Sequence, residues 1–98
     1  MVVIIFRSRL VDEPDGYAAM AQEMADTARA MPGFVDMKSF KADDGERVTL
    51  VWWQDEETLA GWRQHARHRL AQQLGRERWY QEYTIDVAHV VRHNAFGR

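Results

Sequence analysis

The segments VVIIFRSRL (residues 2–10) and RVTLVWW (residues 47–53) constrain the fold most, because each is apolar on both of its faces. Side chains alternate across a strand, so Val2, Ile4 and Phe6 point one way while Val3 and Ile5 point the other. In the second segment Val48, Leu50 and Trp52 oppose Thr49, Val51 and Trp53. A sheet wet on one side alternates cleanly between apolar and polar residues. These strands do not, so a sheet built from them needs cover on both faces.

The rest of the chain says where one cover comes from. After strand 2–10, the turn VDEPDG leads into Tyr17, Met20, Ala21, Met24, Ala28 and Met31, spaced three and four apart along one face of a helix. Pro32-Gly33 closes that helix, since the residue before proline resists the helical conformation. A second strand over residues 33–40 joins the strand 47–53 through a turn at Asp44-Gly45. Asp55 is placed to cap a second helix, with Glu56 and Glu57 in its acidic first turn. That helix is expected to run unbroken to Leu74 and stop at Gly75. A short link precedes a last strand over residues 83–92. The expectation is a single α+β domain over residues 1–98, a ferredoxin-like β-α-β-β-α-β chain. Its four-stranded antiparallel sheet has both helices on one face. No element remains to cover the other face, so two copies are expected to pack sheet against sheet, or to curl into a shared barrel, as a homodimer.

Composition removes several classes of function. There is no cysteine, hence no disulfide, thiolate nucleophile or cysteine zinc site. The apolar run at residues 1–6 is too short to span a bilayer. It has neither the basic flank nor the cleavage site of a signal peptide, so no membrane partner and a cytoplasmic location are expected. Residues 10–57 carry twelve acids against four bases, and residues 58–98 seven bases against three acids. The basic part is diluted by Glu77, Glu82 and Asp86, which argues against a nucleic-acid partner. No phosphate loop, Ser-His-Asp order or HExxH motif is present.

The candidate chemistry centres on GWRQHARHRLAQQLG (residues 61–75). On one straight helix Ala66, Leu70 and Gln73 fall within about 80° of Trp62 and form the inward stripe. His65 lies on its flank, about 60° away, and His68 at about 120°, toward solvent. The two histidines could chelate, but no acid joins them and a zinc site wants three or four ligands, so no metal is expected. Trp62 is either a packed core aromatic or one wall of an aromatic pocket beside Trp53, Phe34 and Phe6. Met20, Met24 and Met31 are either gap-fillers or the lining of a cavity for a flat ligand. His89 stands on an apolar strand face and is expected to be a satisfied core or interface residue. Arg7 and Arg9 leave the first strand on one side. They could bind a carboxylate or phenolate, or pair with the acids of residues 12–15 or of a second copy.

Taken in order, MPGFVDMKSF, VWWQDEETLAGWRQHARHRLAQ and GRERWYQEYTIDVAHVVR resemble the antibiotic biosynthesis monooxygenase family over nearly the whole chain. The resemblance implies a dimeric α+β barrel. It also implies a monooxygenase that needs no cofactor and oxidises a small aromatic or phenolic molecule in an apolar cavity. On that reading Trp62, His65, Arg7 and Arg9 are the catalytic candidates. Trp62 is a wall, His65 a base or donor, and the arginines stabilise the substrate anion. Phe6, Ser8, Met20, Met24, Phe34, Trp53 and His68 are the substrate-binding candidates. The family's haem-degrading branch supplies the alternative. Trp62 matches that branch's tryptophan, but Ser8 stands in place of its asparagine and Gln72 in place of its axial histidine. His65 or His68 would then have to ligate the iron from another angle. A non-catalytic ligand-binding dimer is a third possibility.

Overall fold

The computed structural model describes residues Met1–Arg98, apart from the side chain of Ala66, which lies outside the described residues together with its expected place in the inward stripe. The elements are β1 (Val2–Leu10), α1 (Tyr17–Arg29), β2 (Phe34–Lys41), β3 (Arg47–Trp53), α2 (Glu56–Gln64), α3 (Ala66–Leu74) and β4 (Tyr80–His89), with one π-helical turn at Gly75–Trp79. The four strands form one sheet in the order β2-β3-β1-β4. Every neighbouring pair is antiparallel, with Phe6 of β1 opposite Thr49 of β3 and Ile85 of β4. This is the ferredoxin-like arrangement expected from the sequence, with one more helix. The β2–β3 hairpin closes at Gly45, whose φ of 91° suits glycine. Asp55 caps α2, accepting from the Thr58 N–H at 2.8 Å.

The core lies between the helices and one face of the sheet. Val2, Val51 and Trp53 point from the sheet, and Ala28, Leu59 and Trp62 meet them from α1 and α2. Trp53 is fully buried, stacked on Trp62 with centroids 6.1 Å apart and met edge-on by Phe34 at 5.7 Å. The opposite face carries Val3, Ile5, Val48, Leu50 and Trp52 beside an exposed Phe40. No helix covers it.

Several expectations need correction. The helix expected over 55–74 breaks at His65, whose ψ of 130° is extended. The break is stabilised by the His65 ring itself: Nδ1 accepts from the Arg67 N–H at 3.1 Å and so caps α3. The break changes which residues of α3 face inward. Leu70 is 37% exposed and Gln73 is exposed, while His68, Ala71 and Gln72 turn toward the sheet. Gly75 does not stop the helix; its φ and ψ of −58° and −49° carry the chain into the π turn. The last strand begins and ends three residues earlier than expected. Tyr80 already pairs with Leu10 across a bulge, and past His89, opposite Val2, one further bond runs from the Val90 N–H to the Met1 carbonyl at 3.0 Å. Of the two expectations for His89, the core place does not hold: the residue is exposed in the single chain, with Nε2 3.3 Å from Glu56.

Candidate functional site

A cavity of about 560 Å³ opens between the helices and the sheet. The sheet supplies Ile4, Phe6, Val51, Ile85 and Val87, with Met37 alongside. The first helix contributes Tyr17, Met20 and Met24; α2 contributes Leu59, Trp62 and Arg63; α3 contributes His68, Ala71 and Gln72. The π turn and the start of β4 close one side with Trp79, Tyr80 and Tyr83. The polar wall on the sheet is Ser39 and Thr49, whose hydroxyls bond each other at 2.9 Å.

Two clusters set the shape. On one side Phe6, Tyr80 and Tyr83 pack with centroids 5.4 to 5.7 Å apart, and Tyr17 meets Trp79 and Tyr80 edge-on. Trp79 is anchored because its Nε1 donates to the Asp15 carbonyl at 2.8 Å, which ties the π turn to the loop before α1. Burial raises the Tyr80 pKa, and neighbouring Tyr17 adds to the shift. On the other side the His68 ring lies flat on Trp62, with centroids 4.3 Å apart and planes 19° apart. Its Nδ1 is 3.2 Å from the Trp62 carbonyl. Burial lowers the His68 pKa. The Trp62 carbonyl opposes that shift, and the charges of His65 and Arg63 reinforce it.

Of the residues singled out in the sequence, Trp62, Phe6, Met20, Met24 and His68 come together on the cavity wall. Trp53 and Phe34 stand behind it as a second aromatic layer. Ser8 is buried and lies in a smaller depression with Arg7, Glu46 and Glu82. His65 is not on the wall; its ring caps α3, 5.9 Å from the Trp62 ring. The strand alternation that sends Ile4 and Phe6 into the cavity sends Arg7 and Arg9 to the opposite face. There Arg7 pairs with Glu46 at 3.0 Å, and Arg9 with Asp44 at 2.9 Å and Glu82 at 3.5 Å, instead of with the acids of residues 12–15.

Tyr80, Trp79 and Arg63 were not visible as cavity residues in the sequence. The π turn that aims Trp79 and Tyr80 has no composition signal. The alternation Tyr83, Ile85, Val87 was the available clue to β4. Gln72 reaches the cavity at the position where the haem-degrading branch would carry its axial histidine. Its amide is a poor iron ligand, and among the described residues no cluster of three or more His, Asp or Glu could hold a metal. The axial position of the haem-degrading branch is therefore not reproduced at Gln72. Among the described residues no helix is long and apolar enough to cross a membrane.

The model of the antibiotic biosynthesis monooxygenase family matches residues 1–74. The Bacillus subtilis (strain 168) protein YqjZ is 33% identical over 93 residues, covering 95% of this chain and 82% of that relative. Jasmonate monooxygenase ABM of Pyricularia oryzae is 30% identical over 104 residues, covering all of this chain but only 48% of the relative, so the chain spans about half of that protein. Among solved structures, Rv0793 from Mycobacterium tuberculosis superposes with a TM-score of 0.84 at 17% identity, covering 96% of this chain and 98% of the other. SnoaB, a cofactor-independent oxygenase from Streptomyces nogalater, superposes with a TM-score of 0.79 at 14% identity, covering 94% of each. At these identities the two structures speak to the fold.

Proposed function

Because the chain belongs to the antibiotic biosynthesis monooxygenase family, we propose that it is a monooxygenase that oxidises a small aromatic, phenol-type molecule in the cavity, using O2 without metal, haem or flavin. The observation that carries this reading is the cavity wall. Aromatic rings and methionines supply a bed for a flat ring system, and a histidine and an arginine stand among them. An apolar chamber with few, placed polar groups is the usual form of a small-molecule site. Electrostatic interactions inside it are also stronger than in water.

The chemistry starts with loss of a proton from an electron-rich substrate such as an anthrone. The resulting carbanion passes one electron to O2, and the radical pair recombines to a peroxide. The peroxide takes up the proton and loses water, so that one methylene group and one O2 become one carbonyl group and one water. Trp62, Phe6, Met20 and Met24 hold the rings, and Arg63 offers positive charge to the anion. His65, Arg7 and Arg9, which lie off the cavity wall, are given no contact with substrate in this reading.

The same reading makes the protein a cytoplasmic homodimer, one domain per copy, with the uncovered apolar sheet face buried between copies. Light scattering at working concentration should give twice the mass of the chain; a stable single copy would remove that part. Oxygen-electrode measurements on the wild-type protein test the activity, with anthrone and 1-naphthol as the panel. Oxygen uptake matched by carbonyl product supports the proposal. No uptake with either of them, together with a Soret shift on adding haemin, would replace it with haem binding.

A further inference from the structure

We propose that His68 is the proton acceptor of this cavity, acting through Nε2, with the Trp62 carbonyl fixing its tautomer. The inference rests on the monooxygenase reading for its reaction but not for its geometry.

The first support is elimination. The ionisable side chains on the wall are Tyr17, Arg63, His68, Tyr80 and Tyr83, and no described wall residue is a carboxylate. A guanidinium has no proton-accepting site at neutral pH, and a phenol is a donor there. Tyr80 is held still more firmly in its protonated form by burial. A substrate that must lose a proton in this chamber therefore has one side chain to give it to.

The second support is geometry. A carbonyl oxygen can only accept, so the 3.2 Å contact from the Trp62 oxygen puts the hydrogen on His68 Nδ1. In the neutral ring the lone pair then belongs to Nε2. The Trp62 oxygen also accepts from the His65 N–H at 3.1 Å, so it is held from two sides at the helix break. The break thus has a purpose at the site. A helix continued straight through residue 65 would carry His68 toward solvent, whereas the broken one lays it on Trp62. Burial favours the neutral ring, the form that can accept. After it accepts, the Trp62 carbonyl receives a stronger bond from Nδ1. The indole face 4.3 Å away also favours the cation.

In the step itself an O–H or acidified C–H bond of the ligand breaks. Its electron pair stays on the ligand, and the proton forms Nε2–H; no electron is transferred. The charged and titratable groups around His68 are Arg63 and His65 near its own helix start, the Glu23–Arg67 ion pair between α1 and α3, and Tyr17, Tyr80 and Tyr83 on the cavity wall.

Two measurements test this. In ¹⁵N NMR of the full-length wild-type protein, His68 should show a protonated Nδ1 and an unprotonated Nε2 at neutral pH. Adding 1-naphthol should shift Nε2 and leave Nδ1 protonated. An Nε2–H tautomer, or an Nε2 that does not respond while the naphthol binds, overturns the proposal, and neither depends on turnover. In oxygen uptake with anthrone, His68→Gln should lower kcat by about 10²- to 10⁴-fold while KM changes by less than about threefold. The fall of wild-type kcat/KM toward acid pH should vanish in the variant. His68→Asn should behave alike if the glutamine variant folds poorly. A variant that keeps wild-type kcat overturns the assignment. A wild type that consumes no oxygen refutes the monooxygenase reading instead, and the NMR result then stands or falls alone.

Discussion

Replacing Gly33 with alanine is expected to loosen the start of α2 and, through it, the wall that Trp62 forms. Gly33 has a φ of 84°, and a Cβ built on it would lie 2.2 Å from Thr58 Cβ, 2.3 Å from Oγ1 and 2.4 Å from Cγ2. Neither side can yield easily. Thr58 sits in the cap of α2, with its N–H and hydroxyl on Asp55. On the other side the Gly33 carbonyl accepts from the Gln54 N–H at 2.8 Å. The left-handed backbone costs an alanine about 1–2 kcal/mol, and the forced overlap adds about 1–3 kcal/mol. The sum, about 2–5 kcal/mol, corresponds to a loss of about 1–3 M in the urea midpoint at the usual slope for a small domain. The midpoint is read by circular dichroism at fixed protein concentration, because association would otherwise shift it. Thr58→Gly removes all three crowded atoms. In its background Gly33→Ala should cost only the backbone share, about 1–2 kcal/mol. A cost below about 1 kcal/mol for Gly33→Ala in the wild-type background would refute the reasoning.

Further expectations concern other joints of the same site. The Asp55 carboxyl is held below its ordinary 3.8, first by the Thr58 N–H and then by the Thr58 hydroxyl. A depressed folded value contributes stability above the unfolded value and loses it as pH falls through the folded one. Urea midpoints of the wild type should therefore drop below pH 3.8 more than those of Asp55→Asn, and equal drops would contradict the cap. Trp79→Phe removes the donor to the Asp15 carbonyl and should cost about 1–3 kcal/mol, because a part-buried acceptor is left without its partner; an unchanged melting midpoint would count against that anchor. Leu59→Ala, at a residue 3% exposed in the core, should cost about 2–5 kcal/mol by thermal or urea melting. A cost under about 1 kcal/mol would mean that the α2 contact with the sheet is not as drawn.

The sheet was legible because β-branched and aromatic residues alternate over 2–10 and 47–53, and because the hairpin turn and the Asp55 cap carry local signals. The first helix was legible from its three-and-four spacing. What escaped was phase. A wheel drawn through 55–74 assumes one axis, and the break at His65 leaves neither proline nor glycine to announce it, only a ring nitrogen capping the next turn. With the axis wrong, Leu70 and Gln73 were assigned inward and His68 outward. The same applies to the π turn, since an extra backbone residue per turn has no side-chain signature, and it hid Trp79 and Tyr80. The cavity walls on β1, α1 and α2 could therefore be read from residue spacing, whereas those on α3 and the start of β4 could not. Arg7 and Arg9 needed one more fact than their shared side, namely which face of the sheet the helices cover.

The central claim is that the chamber between the helices and the sheet takes the ligand, and the methionines allow it to be tested directly. The chain has five; Met20, Met24 and Met37 line the chamber, while Met1 and Met31 do not. With ¹³C-methyl methionine in the full-length protein, titration with 1-naphthol should move the Met20, Met24 and Met37 resonances together by ring-current shifts and leave Met1 in place. Saturable binding that moves Met1 and none of those three would contradict the account.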